Sequence, residues 1–89
     1  MTVALMWEAK AAAGQGAELL AWVRSQALGP ATAPAPAPLR RETLTAPGGR
    51  VLVMTWWDAP YDAELPEIPE PDGELVARAV HRWRFETAD

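Results

Sequence analysis

The stretch Arg50-Val51-Leu52-Val53-Met54-Thr55-Trp56-Trp57-Asp58, entered from Ala46-Pro47-Gly48-Gly49, decides the fold. Its β-branched residues and paired tryptophans follow a Pro-Gly-Gly turn, which predicts the second strand of a hairpin. The run is apolar at consecutive rather than alternating positions, so both faces of this strand are expected to be covered. A chain of 89 residues rarely covers both faces of a sheet by itself. A partner subunit or a bound ligand is therefore implied.

Size and composition narrow how that cover is supplied. A chain this short buries only about 60 to 65% of its unfolded surface and generally needs a disulfide, a metal or self-association. It has no cysteine and one histidine, so neither a disulfide nor a thiolate zinc site is available, and homodimerisation is the expected staple. With one lysine and seven arginines against twelve acids the net charge is −4, and no basic run exceeds Arg40-Arg41. That balance argues against a nucleic-acid partner. Six mostly apolar residues without a positive region precede Trp7-Glu8, so no signal peptide is read, and nothing approaches the roughly 20 apolar residues of a membrane span. A soluble, cytoplasmic protein is expected. The Ala, Pro, Gly and Arg bias suits a bacterial genome rich in G and C.

Working outward, Thr2 to Ala9 alternates Val3, Leu5 and Trp7 with Ala4, Met6 and Glu8, the pattern of a strand in a covered sheet. From Ala17, residues Leu19, Leu20, Val23 and Ala27 recur at helical spacing beside Trp22 and stop at Gly29-Pro30. Residues 29–38 carry four prolines and predict a stiff, extended connector; a ligand for an aromatic groove is the other use of such a segment. Leu39 to Thr45 reads as a charged edge strand. A second proline-rich connector spans 59–71, and seven of the twelve acids fall between Asp58 and Glu74, an acidic segment expected to wrap over the surface. Its prolines prevent the helix that would align Glu64, Glu67 and Glu70 on a metal. Leu75, Val76, Ala79 and Val80 predict a short second helix, and His81 to Thr87 a last strand with His81, Trp83 and Phe85 on one face. The predicted fold is α+β: one ferredoxin-like domain over 1–89, ordered β-α-β-β-α-β, with a four-stranded antiparallel sheet.

A first strand running into Lys10 and a Gly-containing turn, a helix, and a strand ending in Trp57-Asp58 resemble the dimeric α+β-barrel superfamily, most closely its antibiotic-biosynthesis-monooxygenase-like group. The resemblance covers nearly the whole chain through motifs of low specificity, and the proline-rich connectors depart from it. It implies two sheets packed face to face across a homodimer, forming an α/β barrel, with a pocket between each sheet and its helices. Members include quinol-type oxygenases without a cofactor, haem-degrading enzymes and polyketide cyclases. The oxygenase and haem-degrading members pair a pocket Asn with a Trp, and the latter add a His. This chain has no asparagine, so Trp56 or Trp57 and His81 fill at most two of those three roles.

The candidate residues each carry a structural alternative. Adjacent strand residues point to opposite faces, so of Trp56 and Trp57 one faces the helices and the other a partner sheet, the helix-facing one being the better pocket candidate. Trp7, Trp22 and Trp83 read as core or dimer contacts, with Trp7 and Trp83 also candidates for the pocket wall. His81 is the natural general acid or base, or else a hydrogen-bonded structural residue. Tyr61, the only phenol, could orient a ligand oxygen. Asp58 and Glu8 are either pocket carboxylates or partners of Arg82 and Arg84. Two functions compete: a homodimer with an apolar, Trp-lined pocket for an aromatic or polyketide-like molecule, as a cofactor-independent monooxygenase or cyclase, and a non-catalytic ligand-binding or structural dimer. Neither metal, haem nor flavin is expected.

Overall fold

The computed structural model describes residues 2–28 and 37–89. The elements are β1 (Thr2–Lys10), α1 (Gly16–Ser25), β2 (Arg40–Ala46), β3 (Arg50–Asp58) and β4 (His81–Glu86). They form one four-stranded sheet in the order β2-β3-β1-β4, antiparallel throughout, which is compatible with a ferredoxin-like arrangement. β2 is an edge strand, in keeping with its charge. Of the connector at 29–38, all but its last two residues lies outside the described residues.

The hairpin β2–β3 turns at Pro47-Gly48-Gly49, where both glycines take positive φ, 85° and 76°, a region that side-chain-bearing residues rarely adopt. Gly49 is further constrained. Its carbonyl accepts from the Ala11 N–H at 2.8 Å, and a Cβ added to it would lie 3.1 Å from Ala11 Cβ.

Register assigns the two faces of the sheet. Val3, Leu5, Trp7 and Ala9 of β1 stand opposite Trp57, Thr55, Val53 and Val51 of β3, and all eight are buried. α1 covers one end of this face with Leu19 and Val23, which are fully buried, and Trp22 stacks on Trp7 with ring centroids 6.2 Å apart. Arg41 of β2 ties the helix down by donating to the Val23 and Gln26 carbonyls at its C-terminal end, where the helix dipole favours a cation. Trp57 is fully buried with Val3 and Leu5 beneath Ala59 and Leu65, and its indole N–H donates to Thr55 Oγ1 at 2.9 Å.

The predicted second helix does not form. Residues 73–75 make a turn, the Ala12 N–H donates to the Leu75 carbonyl, the Ala77 N–H donates to the Lys10 carbonyl, and Val76 bridges Ala11. Backbone groups committed to an extension of β1 cannot close helical hydrogen bonds, and four apolar residues do not nucleate a helix against that competition. Its place over the sheet is taken by the proline-rich stretch 59–71. Ile68 and Pro71 are buried there, Arg84 donates to the Tyr61 and Ala63 carbonyls at 2.7 Å, and Arg82 lies within 4.0 Å of Glu67 and Glu70. The order is thus β-α-β-β-β, with an irregular cover where the second helix was expected. Among the described residues no helix is long and apolar enough to cross a membrane.

Candidate functional site

The opposite face of the sheet has no covering layer among the described residues. By register it presents Ala4, Met6 and Glu8 of β1, Leu52, Met54 and Trp56 of β3, Arg40, Glu42 and Leu44 of β2, and His81, Trp83 and Phe85 of β4. Phe85 is 50% exposed, Trp83 48% and Leu44 42%. The apolar character of β3 on both sides therefore has two outcomes: the odd-numbered residues are buried, whereas Leu52, Met54 and Trp56 are half-covered.

An open cavity of about 550 Å³ occupies the end of this face where β1 finishes and β3 and β4 begin. Met6, Leu44, Leu52 and Trp83 form its apolar wall, and Glu8, Arg50, Arg78 and His81 its polar part. Glu8 is the one buried charged residue among those described, 5% exposed. A carboxylate removed from water needs charged partners, and two guanidinium groups converge on it beside the imidazole of His81. Arg78 Nη2 lies 2.8 and 2.9 Å from its two oxygens, Arg50 Nε lies 3.1 Å from Oε2, and His81 Nδ1 lies 3.6 Å from Oε1.

Each partner is delivered by a different part of the fold. His81 stands directly across β4 from Glu8, and Arg50 lies diagonally from it on β3. Arg78 arrives from the segment pinned to Lys10 and Ala12. Burial pushes the Glu8 carboxyl up, but hydrogen bonds from Arg78 and Arg50, reinforced by their charges, outweigh it and hold the group below the ordinary glutamate value. Glu8 is thus an anion at neutral pH. With Nδ1 turned toward it, the His81 imidazole has Nε2 left for other contacts, and the Trp83 ring meets the imidazole edge to face at 5.3 Å.

The structure brings His81 and Trp83 together in this cavity. Trp56 shares the face but sits toward its other end, with the Arg40 guanidinium 5.2 Å over its ring. Trp7 and Trp57 lie in the core on the helix side, where the space beside Trp7 amounts to about 10 Å³, no more than one water. Among the described residues the larger of these two spaces is thus the cavity on the opposite side of the sheet from α1. Tyr61 is on the loop after β3, half-exposed, with its hydroxyl 3.4 Å from the Arg84 carbonyl. Glu8 pairs with Arg50 and Arg78 rather than with Arg82 or Arg84, because the last two point to the covered face. The signal for Glu8 and Arg50 was in the sequence: each sets a charge on the same strand face as the apolar Met6, Leu52 and Met54. Arg78 had no such signal, since a helix was expected there.

No protein-family model, curated protein or solved structure matches this chain.

Proposed function

We propose that this chain is a homodimeric small-molecule protein whose ligand site is the cavity on the open sheet face, where an aromatic or polyketide-like molecule undergoes proton transfer at His81. The observation that carries this reading is a concavity of about 550 Å³, within the range of small-molecule sites, with a buried carboxylate set beside the only histidine at its polar end. Glu8, 3.6 Å from the imidazole Nδ1, would stabilise the imidazolium formed when His81 takes a proton. Proton abstraction from an activated phenol or a carbon next to a carbonyl is the step shared by a cofactor-independent oxygenase and a cyclase. The exposed Leu44, Trp83 and Phe85 support a second copy packed on this face as in a dimeric α/β barrel, which would close the cavity from water.

A second reading, a non-catalytic dimer, is favoured by the helix side: Trp7 and Trp57 are packed in the core, and among the described residues the space beside Trp7 is about 10 Å³. The two separate on one experiment. The protein is incubated with a panel of aromatic quinols and linear polyketides, and products are followed by mass spectrometry for the wild type and His81→Gln. Turnover lost in His81→Gln supports the proposal. Full turnover in that variant removes His81 from the chemistry, and neither binding nor turnover with a stable dimer leaves the second reading.

A further inference from the structure

The cation count around Glu8 exceeds what a structural ion pair requires. Arg78 alone already donates to both carboxylate oxygens. Arg50 adds a second guanidinium through Nε only, its side chain 56% exposed, and among the described residues its two Nη nitrogens have no hydrogen-bond partner. Directly across the strands from Arg50 stands Lys10, on the same face. Like charges in register are destabilising, so the sheet gains nothing from setting Lys10 beside Arg50. The formal charges of Arg50 and Arg78 in the cavity lining and of Lys10 beside Arg50, set against Glu8, leave two units of positive charge on this end of the open face, in a chain of net charge −4.

An unspent fork of donors at the edge of a wall of Met6, Leu44, Leu52 and Trp83 matches a ligand with a flat apolar body and one anionic group. We infer that the cavity binds aromatic monoanions, an aryl carboxylate or phenolate, with the anion on the Arg50 Nη nitrogens and the ring against Trp83. This rests on the reading of the cavity as a ligand site and adds the charge of the ligand.

The test uses 2-naphthoate and its neutral isostere 2-naphthamide as probes on the full chain. Binding is followed by NMR of the Trp83 indole N–H, assigned with Trp83→Phe, and by calorimetry. Naphthoate is expected to bind about tenfold more tightly than naphthamide, and the difference should shrink as salt rises. Arg50→Gln should lower the affinity for naphthoate more than that for naphthamide, so that the difference between the two probes closes. Should Arg50→Gln fail to fold, the acid–amide difference in the wild type and its salt dependence still decide the matter. Equal, salt-independent binding of both probes overturns the anion preference while the cavity stands as a ligand site. Binding of neither probe overturns the cavity as a ligand site and this inference with it.

Discussion

Arg78 reaches across from the segment after the Gly73 turn to place one nitrogen 2.8 and 2.9 Å from the two carboxylate oxygens of Glu8, a residue 70 positions earlier in the chain. This contact closes the irregular segment 72–80 onto the central strand and neutralises the buried acid. Arg78→Ala is expected to lower stability by about 1.5 to 3 kcal/mol, the range for hydrogen bonds to charged groups, because Arg50 and His81 only partly replace it. Urea unfolding checks the value. Hydrogen exchange should show the Ala77 amide, which donates to the Lys10 carbonyl, losing protection first.

Acidification probes the same carboxylate. The folded pKa of Glu8 lies below its ordinary value of 4.5, so the folded state holds the charged form more tightly than the unfolded chain does. Its stabilisation is fully present above about pH 4.5 and is lost as pH falls through the lowered folded value. A urea midpoint that drops below pH 4.5 in the wild type, and drops less in Glu8→Gln, is the expected result.

The paired tryptophans should respond unequally to truncation. Trp57 is fully buried and its loss opens a cavity under the loop at Ala59 and Leu65, so Trp57→Ala should cost about 3 to 5 kcal/mol. Trp56 is half-covered on the open face and should cost much less to the isolated chain, with its effect appearing in self-association instead. Denaturation at two protein concentrations separates these contributions.

Phe85 offers a direct test of the proposed dimer. It is half-exposed and faces the open side, so Phe85→Glu should leave the fold of a chain intact while placing a charge in the proposed contact. Sedimentation at micromolar concentration should change from dimer to monomer with unchanged circular dichroism. A wild type that already sediments as a monomer would remove the sheet-face dimer altogether.

Gly49→Ala should destabilise by about 1 to 2 kcal/mol, the cost of a side-chain-bearing residue in the left-handed region, with crowding against Ala11 Cβ added to it. Gly48→Ala has a similar φ and open space around it, so a melting temperature lowered more in Gly49→Ala than in Gly48→Ala isolates the contact term.

Local pattern determined much of this protein. The strand spans β1, β3 and β4, the Pro47-Gly48-Gly49 turn and the helix around Leu19 and Val23 follow from side-chain periodicity and from backbone preferences confined to a few residues. The opposite orientation of Trp56 and Trp57 follows from strand geometry alone. Which of them is buried does not, because that depends on where α1 and the 59–71 segment cross the sheet. The segment 72–80 shows the same limit: Leu75, Val76, Ala79 and Val80 have helical spacing, but Lys10 and Ala12, more than 60 residues away, supply the backbone partners that hold it in an irregular, non-helical path. That path brings Arg78 to the cavity wall. Only once the chain returns along the end of β1 does Arg78 meet Glu8, Arg50 and His81, and a buried acid that the sequence presents as one polar residue in an apolar strand becomes the centre of a charged site.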